Sequence, residues 1–471
     1  MTFPFRARRV GASAALVAAL CALVGLPLFA DGPAPKPLTL DQAIAEGLAR
    51  DPGIRSSNFD LISAKAKALD ALFRMIPSIA VSSGYTQLSA EAIPSATLPP
   101  SEAAFQPFVD TLLSMFGGAP DFSQTNSVDL QYPIFAGFRL QQAADIAKLG
   151  ALGKEAGLEL AKRAMAFEIE RAYWESVRAT SNVQTAAKAL ELEGVLRDEM
   201  KSMADQGMAT NAELLGEQAR FDQITLALDQ AKSGQQLAFL GLASLIGDAD
   251  ASTPLDSAGY ELLTAPEGQP WTDPGDDETA LIASALASRP ETKLATIGFD
   301  VGNHALTAAK GDLMPTVLLI GDVTYGDPDQ RAFPPANLYD VTWAAGIRLR
   351  YDLGAIPGAL AREKAADADM EKAKADLERQ RDAIALDVRK TILALSNARN
   401  ALALSKGMVA EAEENLRVTQ AKFDNGLAKH SDLLQTQIAV LRANFGVEND
   451  AINLEIAEAD LDRALARQNL P

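Results

Sequence analysis

Two very long stretches of this sequence have helical composition and contain no proline. They run from about Gly137 to Gln206 and from about Gly358 to Asp424, and both are rich in Ala, Leu, Glu, Lys and Gln. At about 1.5 Å per residue, such a helix spans on the order of 100 Å, far more than a globular domain holds. Only 6% of the residues are aromatic, so several globular cores are not expected. The chain must therefore build an extended helical structure.

The second stretch carries a heptad repeat of alternating size. Large residues recur every seven positions, and small residues follow three positions after each. The large set is Val388, Leu395, Leu402, Val409, Leu416 and Phe423, and the small set is Thr391, Ala398, Ser405, Ala412 and Thr419. This seam predicts coiled-coil-like packing against other helices, and a single solvated helix would not keep it.

Each long stretch ends in the same short motif. "GMATNAELL" begins at Gly207, and "GLAKHSDLL" begins at Gly426, 219 residues later. The glycine interrupts the helix, and an acid, Glu213 or Asp432, then falls in the first turn of a returning helix, where the helix dipole favours a carboxylate. The sequence therefore predicts two helical hairpins with tips near 207 and 426.

The rest of the chain is also duplicated. "AIAEGLARDPGIR" from residue 43 matches "LIASALASRPETK" from residue 281, and the first copy has about 19 extra residues within 90–120, which predicts a surface loop. The predicted organisation is a signal peptide at 1–30, a first repeat at 31–247, a Pro-rich linker at 248–277 and a second repeat at 278–471. The returning helices, at 212–247 and 431–468, are about half as long as the stretches before them. Helices predicted at 41–75 and 278–313 would supply the missing halves, so that two short helices stacked end to end match one long helix.

Around the insertion, apolar residues no longer recur at helical spacing but at every second position. In "SVDLQYPIF" and "VTWAAGIRLRYD", apolar residues alternate with polar ones, which is typical of a strand with one apolar and one wet face. Strands are predicted at about 77–88, 124–136, 315–325 and 340–352. The predicted lipid-facing residues are Val128, Leu130, Ile347 and Leu349, and the residues predicted to face a water-filled lumen are Asp129, Gln131, Asp322, Arg348 and Arg350.

Four strands cannot close into a barrel or cover both of their edges. A small antiparallel sheet packed on helices is one interpretation. The other is part of an outer-membrane barrel wall, since aromatic residues such as Tyr85 and Trp343 lie near strand ends. In lipid the open edges would have to be closed by other copies, and three copies would give twelve strands.

The N-terminus has the layout of a cleaved secretory signal. Arg6, Arg8 and Arg9 precede an apolar run that ends in small residues near Ala30. A membrane anchor and a lipid attachment at Cys21, the single cysteine, are the alternatives. The formal net charge of −19 makes nucleic acid a poor partner. With two histidines and no phosphate-binding loop, neither an enzyme nor a metal or cofactor site is expected.

In their order, spacing and duplication, these features resemble the outer-membrane efflux protein family, the TolC-like channel-tunnels. The resemblance rests on the opening "LTLDQAIAEGLARDPGIRSS", the joints "YPIFAGFR" and "YDLGAIPG", and both tip motifs. It implies a mainly α fold with a β-barrel part: a homotrimer with a twelve-stranded barrel in outer-membrane lipid and a helical barrel in the periplasm. The implied function is a passive exit for substrates driven by an inner-membrane efflux pump or type I secretion transporter.

The resemblance also implies roles for the tips. A periplasmic adaptor would dock on Gly207 with Met208 and on Gly426 with Leu427; the alternative is that the glycines only permit the turn. An acidic ring of the periplasmic gate would match Asp432, whereas the second acidic position is occupied by Gln435. The basic and aromatic gate positions fall at Ala428 and Phe423. The rival interpretation, a periplasmic coiled-coil adaptor or scaffold, would have one hairpin and compact β domains.

Overall fold

The computed structural model describes residues 36–87, 97–115, 122–249, 260–262, 273, 275, 277–327 and 339–468. The predicted signal peptide, with Cys21, lies outside the described residues. The first half contains β1 (Lys36–Leu38), α1 (Leu40–Arg50), α2 (Pro52–Phe73), β2 (Ser78–Gln87), α3 (Gln106–Met115), β3 (Phe122–Phe135), α4 (Arg139–Asp205) and α5 (Asn211–Ile246). The second contains β4 (Tyr260–Leu262), α6 (Glu278–Ser288), α7 (Pro290–Gly311), β5 (Thr316–Asp327), β6 (Asp340–Arg350), α8 (Ile356–Asp424) and α9 (His430–Ala464).

The predicted mainly helical fold with a small antiparallel sheet is confirmed. Its largest elements are α4 with 67 residues and α8 with 69 residues, each followed by a returning helix of about half that length. Part of the insertion predicted as a loop is helical, because α3 and a short 3-10 segment at Pro100–Phe105 lie within it.

The helices expected at 41–75 and 278–313 are each broken in two. The breaks fall before Pro52 and Pro290, which occupy the first position of α2 and α7. Proline has no backbone N–H to continue a helix and fits best in the first turn. At the first break the Asp51 carboxylate accepts the Ile54 N–H at 2.6 Å, which caps the new helix.

The long helices form one layer. Helix α4 packs against α2 and α5 on one side and against α7 and α9 on the other, and α8 packs against α7 and α9. The order across the layer is therefore α2 with α5, then α4, then α7 with α9, then α8. The shorter helices meet end to end: the Ser288 hydroxyl, at the end of α6, donates to the Leu465 carbonyl beyond α9 at 3.1 Å.

Two small apolar cores fix the middle of the layer. The first joins α1, α4 and α5 around Ile169, Tyr173 and Leu242, and the Tyr173 hydroxyl donates to the carbonyl of Leu38 at 3.0 Å. The second joins α6, α8 and α9 around Val388 and Leu461. The sequence did not predict the parallel pairing of β1 with β4, which adds a three-residue ladder from the linker. Such short strands carry too few residues to show a period.

The sheet joins the two halves of the chain through its centre. Its order is β2-β3-β5-β6, all antiparallel, so that β3 of the first half pairs with β5 of the second. In the described part of the chain, β2 and β6 each pair on one side only. These two edge strands adjoin α2 and α8, the helices at the two edges of the layer.

The joint between β3 and α4 depends on two glycines in close contact. Gly137 has a left-handed backbone with φ of 62°, and a Cβ on either Gly137 or Gly311 would overlap the other residue's carbonyl oxygen. Both clashing atoms belong to backbone, so neither can rotate away. The two glycines therefore allow the end of α7 to pack on the start of α4.

We predict that Gly311→Ala lowers the free energy of unfolding by about 2 kcal/mol, because the methyl group forces two backbone segments apart. Gly150→Ala is the control, since an added Cβ there has open space and helical alanine is favoured by roughly 0.5–1 kcal/mol. Thermal denaturation followed by circular dichroism measures both. Equal midpoints for the two variants would contradict the role of the glycine contact.

Candidate functional site

One face of the four-stranded sheet is apolar and exposed. The register aligns Val81, Val128, Val323 and Trp343 across all four strands. The side chain of Trp343 is 71% exposed and that of Val81 is 78% exposed. The predicted lipid-facing residues Val128, Leu130, Ile347 and Leu349 belong to this same face by register. So large an exposed apolar surface needs an apolar neighbour.

The opposite face carries polar and charged side chains, together with Leu318 and Ile320 of β5. Asp129 lies directly opposite Asp322 across β3 and β5, and the Ser127 hydroxyl donates to the Asp129 carboxylate at 2.7 Å. Small residues flank the two acids, since Ala80 and Ala344 are their outer register partners. The register thus brings together on one face all residues predicted to be lumenal: Asp129, Gln131, Asp322, Arg348 and Arg350.

The helical layer carries exposed apolar side chains at both edges. On the α2 and α5 edge, Phe59, Leu226 and Leu237 are 68%, 58% and 61% exposed, and on α8, Leu393 and Leu404 are 62% and 70% exposed. The same edges continue into the sheet edges β2 and β6. A single chain therefore has two long uncovered margins, one at each side, of both sheet and helix.

The two hairpin tips have the same backbone geometry. Gly207 and Gly426 have φ of 74° and 70°. The N–H after each glycine donates to a carbonyl five residues back, Met208 to Met203 at 2.8 Å and Leu427 to Lys422 at 2.7 Å. This is the pattern of a helix ended by a left-handed glycine. Met208 and Leu427 are 65% and 78% exposed, so each tip displays one apolar side chain.

The predicted gate residues lie at the start of α9. The Asp432 carboxylate accepts the Lys429 N–H at 3.1 Å, which caps this helix. Gln435 lies three residues further along α9, just beyond its first turn. Ala428 and Phe423 flank the tip, and the ring of Phe423 lies 5.5 Å from that of His430. Asp432 thus has a local structural role besides any role in gating.

The two hairpins also contact each other near their tips, through a pair of residues that the sequence did not predict. His430 Nδ1 lies 2.8 Å from the Glu199 Oε2 on α4, and both side chains are about one-third exposed, at 37% and 30%. Farther from the tips, Leu196 packs with Leu434 and Ile438 between the same two helices. Sequence spacing could not reveal this pair, because 231 residues separate its members.

Carboxylates gather where α4, α9 and the start of α1 meet. Burial, followed by the charges of Asp462, Glu455 and Asp41, raises the pKa of Glu170 from 4.5 to about 7. Burial and the neighbouring Glu455 charge raise the pKa of Glu458 to about 7 as well. Among the described residues, no set of three acidic, His or Cys side chains has the arrangement of a metal site.

These raised pKa values predict a pH-dependent stability. The folded chain binds more protons than the unfolded chain between pH 4.5 and about 7, so the free energy of unfolding falls as pH rises through this range. The double substitution Glu170→Gln and Glu458→Gln should flatten the fall in midpoint measured by denaturation from pH 5 to 7.5. Glu414→Gln is the control, because hydrogen bonding to Arg417 lowers the pKa of Glu414. An unchanged slope in the double variant would contradict the assignment.

Within the described ranges, no helix combines the length and apolarity needed to cross a bilayer.

Comparison with known proteins finds one family model and several solved outer-membrane proteins that are similar to this chain. Residues 281–467 match the sequence model of the family described as outer membrane efflux protein. The fold is similar to that of the outer-membrane channel OprN, with a TM-score of 0.73 and 17% identity over 92% of this chain and 91% of that one. The CmeC outer membrane channel of Campylobacter jejuni gives 0.74 and 15% identity over 90% and 85%. VceC of Vibrio cholerae gives 0.70 and 18% over 90% and 95%. No curated protein sequence matches the chain.

Proposed function

We propose that the chain is a member of the outer membrane efflux protein family, whose sequence model matches residues 281–467, and that it forms a trimeric channel-tunnel for passive export. The protein belongs to the outer membrane and extends into the periplasm. The similar structures are described as outer-membrane channels or proteins, and none as an enzyme. Substrates would be driven by an inner-membrane efflux pump or type I secretion transporter and would pass through a periplasmic adaptor.

The observation that supports this proposal is that the uncovered edges of the sheet and of the helix layer lie on the same two sides of the chain. In the described part of the chain, the sheet ends at β2 and β6, which each pair on one side only, and the helix layer ends in the apolar edges of α2 with α5 and of α8. A neighbouring copy that pairs β6 with β2 would also pack α8 against α2 and α5. One rotation repeated around an axis would then cover every margin, with no bare strand edge left in lipid.

In this assembly the apolar face of the sheet would contact lipid and the polar face would contact water. The apolar face with Val81 and Trp343 would meet lipid, and the face with Asp129, Asp322 and Arg348 would line a lumen. Three copies give twelve strands, a number that leaves room for water inside. An adaptor or scaffold protein does not need such a sheet, because its strands would remain in water.

The trimer and its pore can be tested together. We expect purified protein in detergent to show three times the mass of the mature chain by mass photometry, and to produce discrete conductance steps in planar bilayers. The trimer is expected because exposed margins of this size are not tolerated by a monomer. A monodisperse monomer without detergent, or a trimer that never conducts, would contradict the proposal.

We further propose that the tips dock the adaptor. Six tips per trimer, two from each chain, would present Met208 or Leu427 at equivalent positions, because both tips share one backbone geometry. A turn that only reverses the chain does not need an exposed apolar side chain after the glycine. Asp432 is the proposed entrance carboxylate of this end, and Gln435 occupies the second gate position without a charge.

We predict that the double substitution Met208→Asp and Leu427→Asp abolishes export and cross-linking to the adaptor, because charge replaces the apolar contact area. Both glycines remain, so trimer formation should persist. The control is Gln206→Asp with Asn425→Asp, which adds the same two charges at neighbouring exposed positions. Normal export by the first variant, or equal loss in both, would reduce the tips to chain-reversing turns.

A further inference from the structure

A groove crosses the middle of the helical layer, where α9 lies between α4 and α8. Alanines form much of its surface: Ala164 comes from α4, Ala394 and Ala398 come from α8, and Ala457 comes from α9. Because a methyl group fills little space, the three helices leave a hollow of about 660 Å³ between them. This volume lies within the range of ~300–1,000 Å³ that is typical of small-molecule sites.

The groove opens on the side of the layer opposite to α1. Residues two positions apart in a helix are about 200° apart around its axis, so they point to opposite sides. On α4, Ile169 and Tyr173 pack on α1, and the Tyr173 hydroxyl donates to the Leu38 carbonyl of β1. Phe167 and Arg171, each two positions before one of these residues, line the groove. Thus α1 and β1 cover one face of the layer, and the groove lies on the other.

In the proposed trimer, the face with the groove surrounds the duct. Each chain contributes four helical positions across the layer, so three chains give a ring of twelve. At an interaxial distance of about 10 Å, this ring leaves a bore of roughly 14 Å radius. Three copies of α1, each about 10 Å across, would fill much of that bore, so an open duct needs α1 outside and the groove inside. The groove also lies between the two margins, so neighbouring copies leave it uncovered.

Two arginines reach the groove from different helices, Arg171 from α4 and Arg463 from α9. The Arg463 Nε donates to the Asp460 carboxylate at 2.8 Å, and its guanidinium lies 5.4 Å from the centre of the Phe167 ring. The charged atoms of Arg171 and Glu168 are 3.7 Å apart, which is too long for a hydrogen bond. Since a guanidinium has five N–H donors, both arginines keep donors for a further group.

The other polar side chains of the groove add to this excess of donors. The Asn453 Oδ1 accepts a hydrogen bond from Arg178 at 2.7 Å, which leaves the amide N–H groups of Asn453 as donors. The two lining carboxylates, Glu168 and Asp460, each face an arginine already. The groove therefore combines spare donors and positive charge with an apolar surface, a combination that recognises an anion with an apolar body.

We propose that this groove binds amphipathic organic anions, with Arg171 and Arg463 holding a carboxylate or sulfonate and the alanines with Phe167 holding an aromatic or aliphatic body. The position of the site inside a duct rests on the proposed channel function. The chain has a formal net charge of −19, which repels anions over most of its surface. A pair of arginines in the middle of the duct would offset this repulsion locally and retain an anionic substrate during its passage.

The test measures binding of 2-naphthoate to the purified protein in detergent by isothermal titration calorimetry. We expect one site per chain. Arg171→Gln should weaken binding about fivefold or more, because it removes a charged donor. Ala394→Phe should weaken binding at least as much without changing any charge, because its ring fills the groove from an exposed position. Arg463 is left unchanged, since it also contacts Asp387 on α8.

The matched control is Arg417→Gln. Arg417 is likewise exposed and pairs with a glutamate three residues before it, but it lies near the tip of α8, away from the groove. Its substitution should leave the affinity for 2-naphthoate unchanged. An equal loss of affinity in Arg417→Gln and Arg171→Gln would show a general effect of charge and would overturn the site.

Glu168→Gln separates an anion site from a cation site. Removal of this carboxylate frees Arg171, so binding of 2-naphthoate should tighten about twofold or more. The matched cation 2-naphthylmethylammonium should bind wild-type protein at least fivefold more weakly than 2-naphthoate. Preference for the cation, or weaker binding of 2-naphthoate to Glu168→Gln, would contradict the proposal.

The calorimetric result does not depend on conduction, so the two proposals can fail separately. A protein that conducts in planar bilayers but does not bind 2-naphthoate would overturn the site. Unchanged affinity in both Arg171→Gln and Ala394→Phe would overturn it as well. A protein that binds 2-naphthoate with the expected variant pattern but never conducts would instead overturn the channel function.

Discussion

The packing of α4 holds this structure together. This helix contacts α1, α2 and α5 on one side and α7 and α9 on the other, so it joins the helices of both halves of the chain. Isolated helices owe little stability to their backbone, and a helix of 67 residues keeps its position only through buried contacts along its length. Small residues such as Ala144, Ala151 and Ala166 are buried along it and let neighbouring helices approach closely.

The placement of α4 also determines where the margins fall. Because α4 and the stacked pair α7 with α9 occupy the middle of the layer, α2 with α5 and α8 are left at its edges. Strand β2 continues directly from α2, and β6 leads directly into α8, so the sheet must end at the same two sides. A neighbouring copy at each side would cover both the apolar side chains at the edge of the helical layer and the outer backbone groups of the edge strand. An exposed strand edge leaves backbone groups unpaired, and an exposed apolar helix edge leaves side chains in water. Contact with a neighbouring copy covers both surfaces.

The structure of each hairpin tip is determined by neighbouring residues, whereas the relative position of the two tips is determined by contacts between distant segments. The glycine turns and the helix caps at Glu213 and Asp432 involve residues within a few positions of one another, so each tip is formed by local interactions. The relative position of the tips depends on the packing of α4 against α9, which includes the apolar layer of Leu196 with Leu434 and the contact of His430 with Glu199.

The sequence alone determined the features that depend on local periodicity. The two long helices follow from proline-free stretches of helical composition, the tips from Gly207 and Gly426, and the polar and apolar strand faces from the alternation around Asp129 and Arg348. Pro52 and Pro290 are visible in the sequence, but the structure shows that each begins a new helix, capped by Asp51 in the first case.

Only the tertiary structure decided which distant segments meet. It set the central pairing of β3 with β5, the parallel pair of β1 and β4, the carboxylates around Glu170, and the contact of His430 with Glu199. Each joins residues far apart in the chain, and their proximity is fixed by the packing of whole helices, which no local pattern encodes.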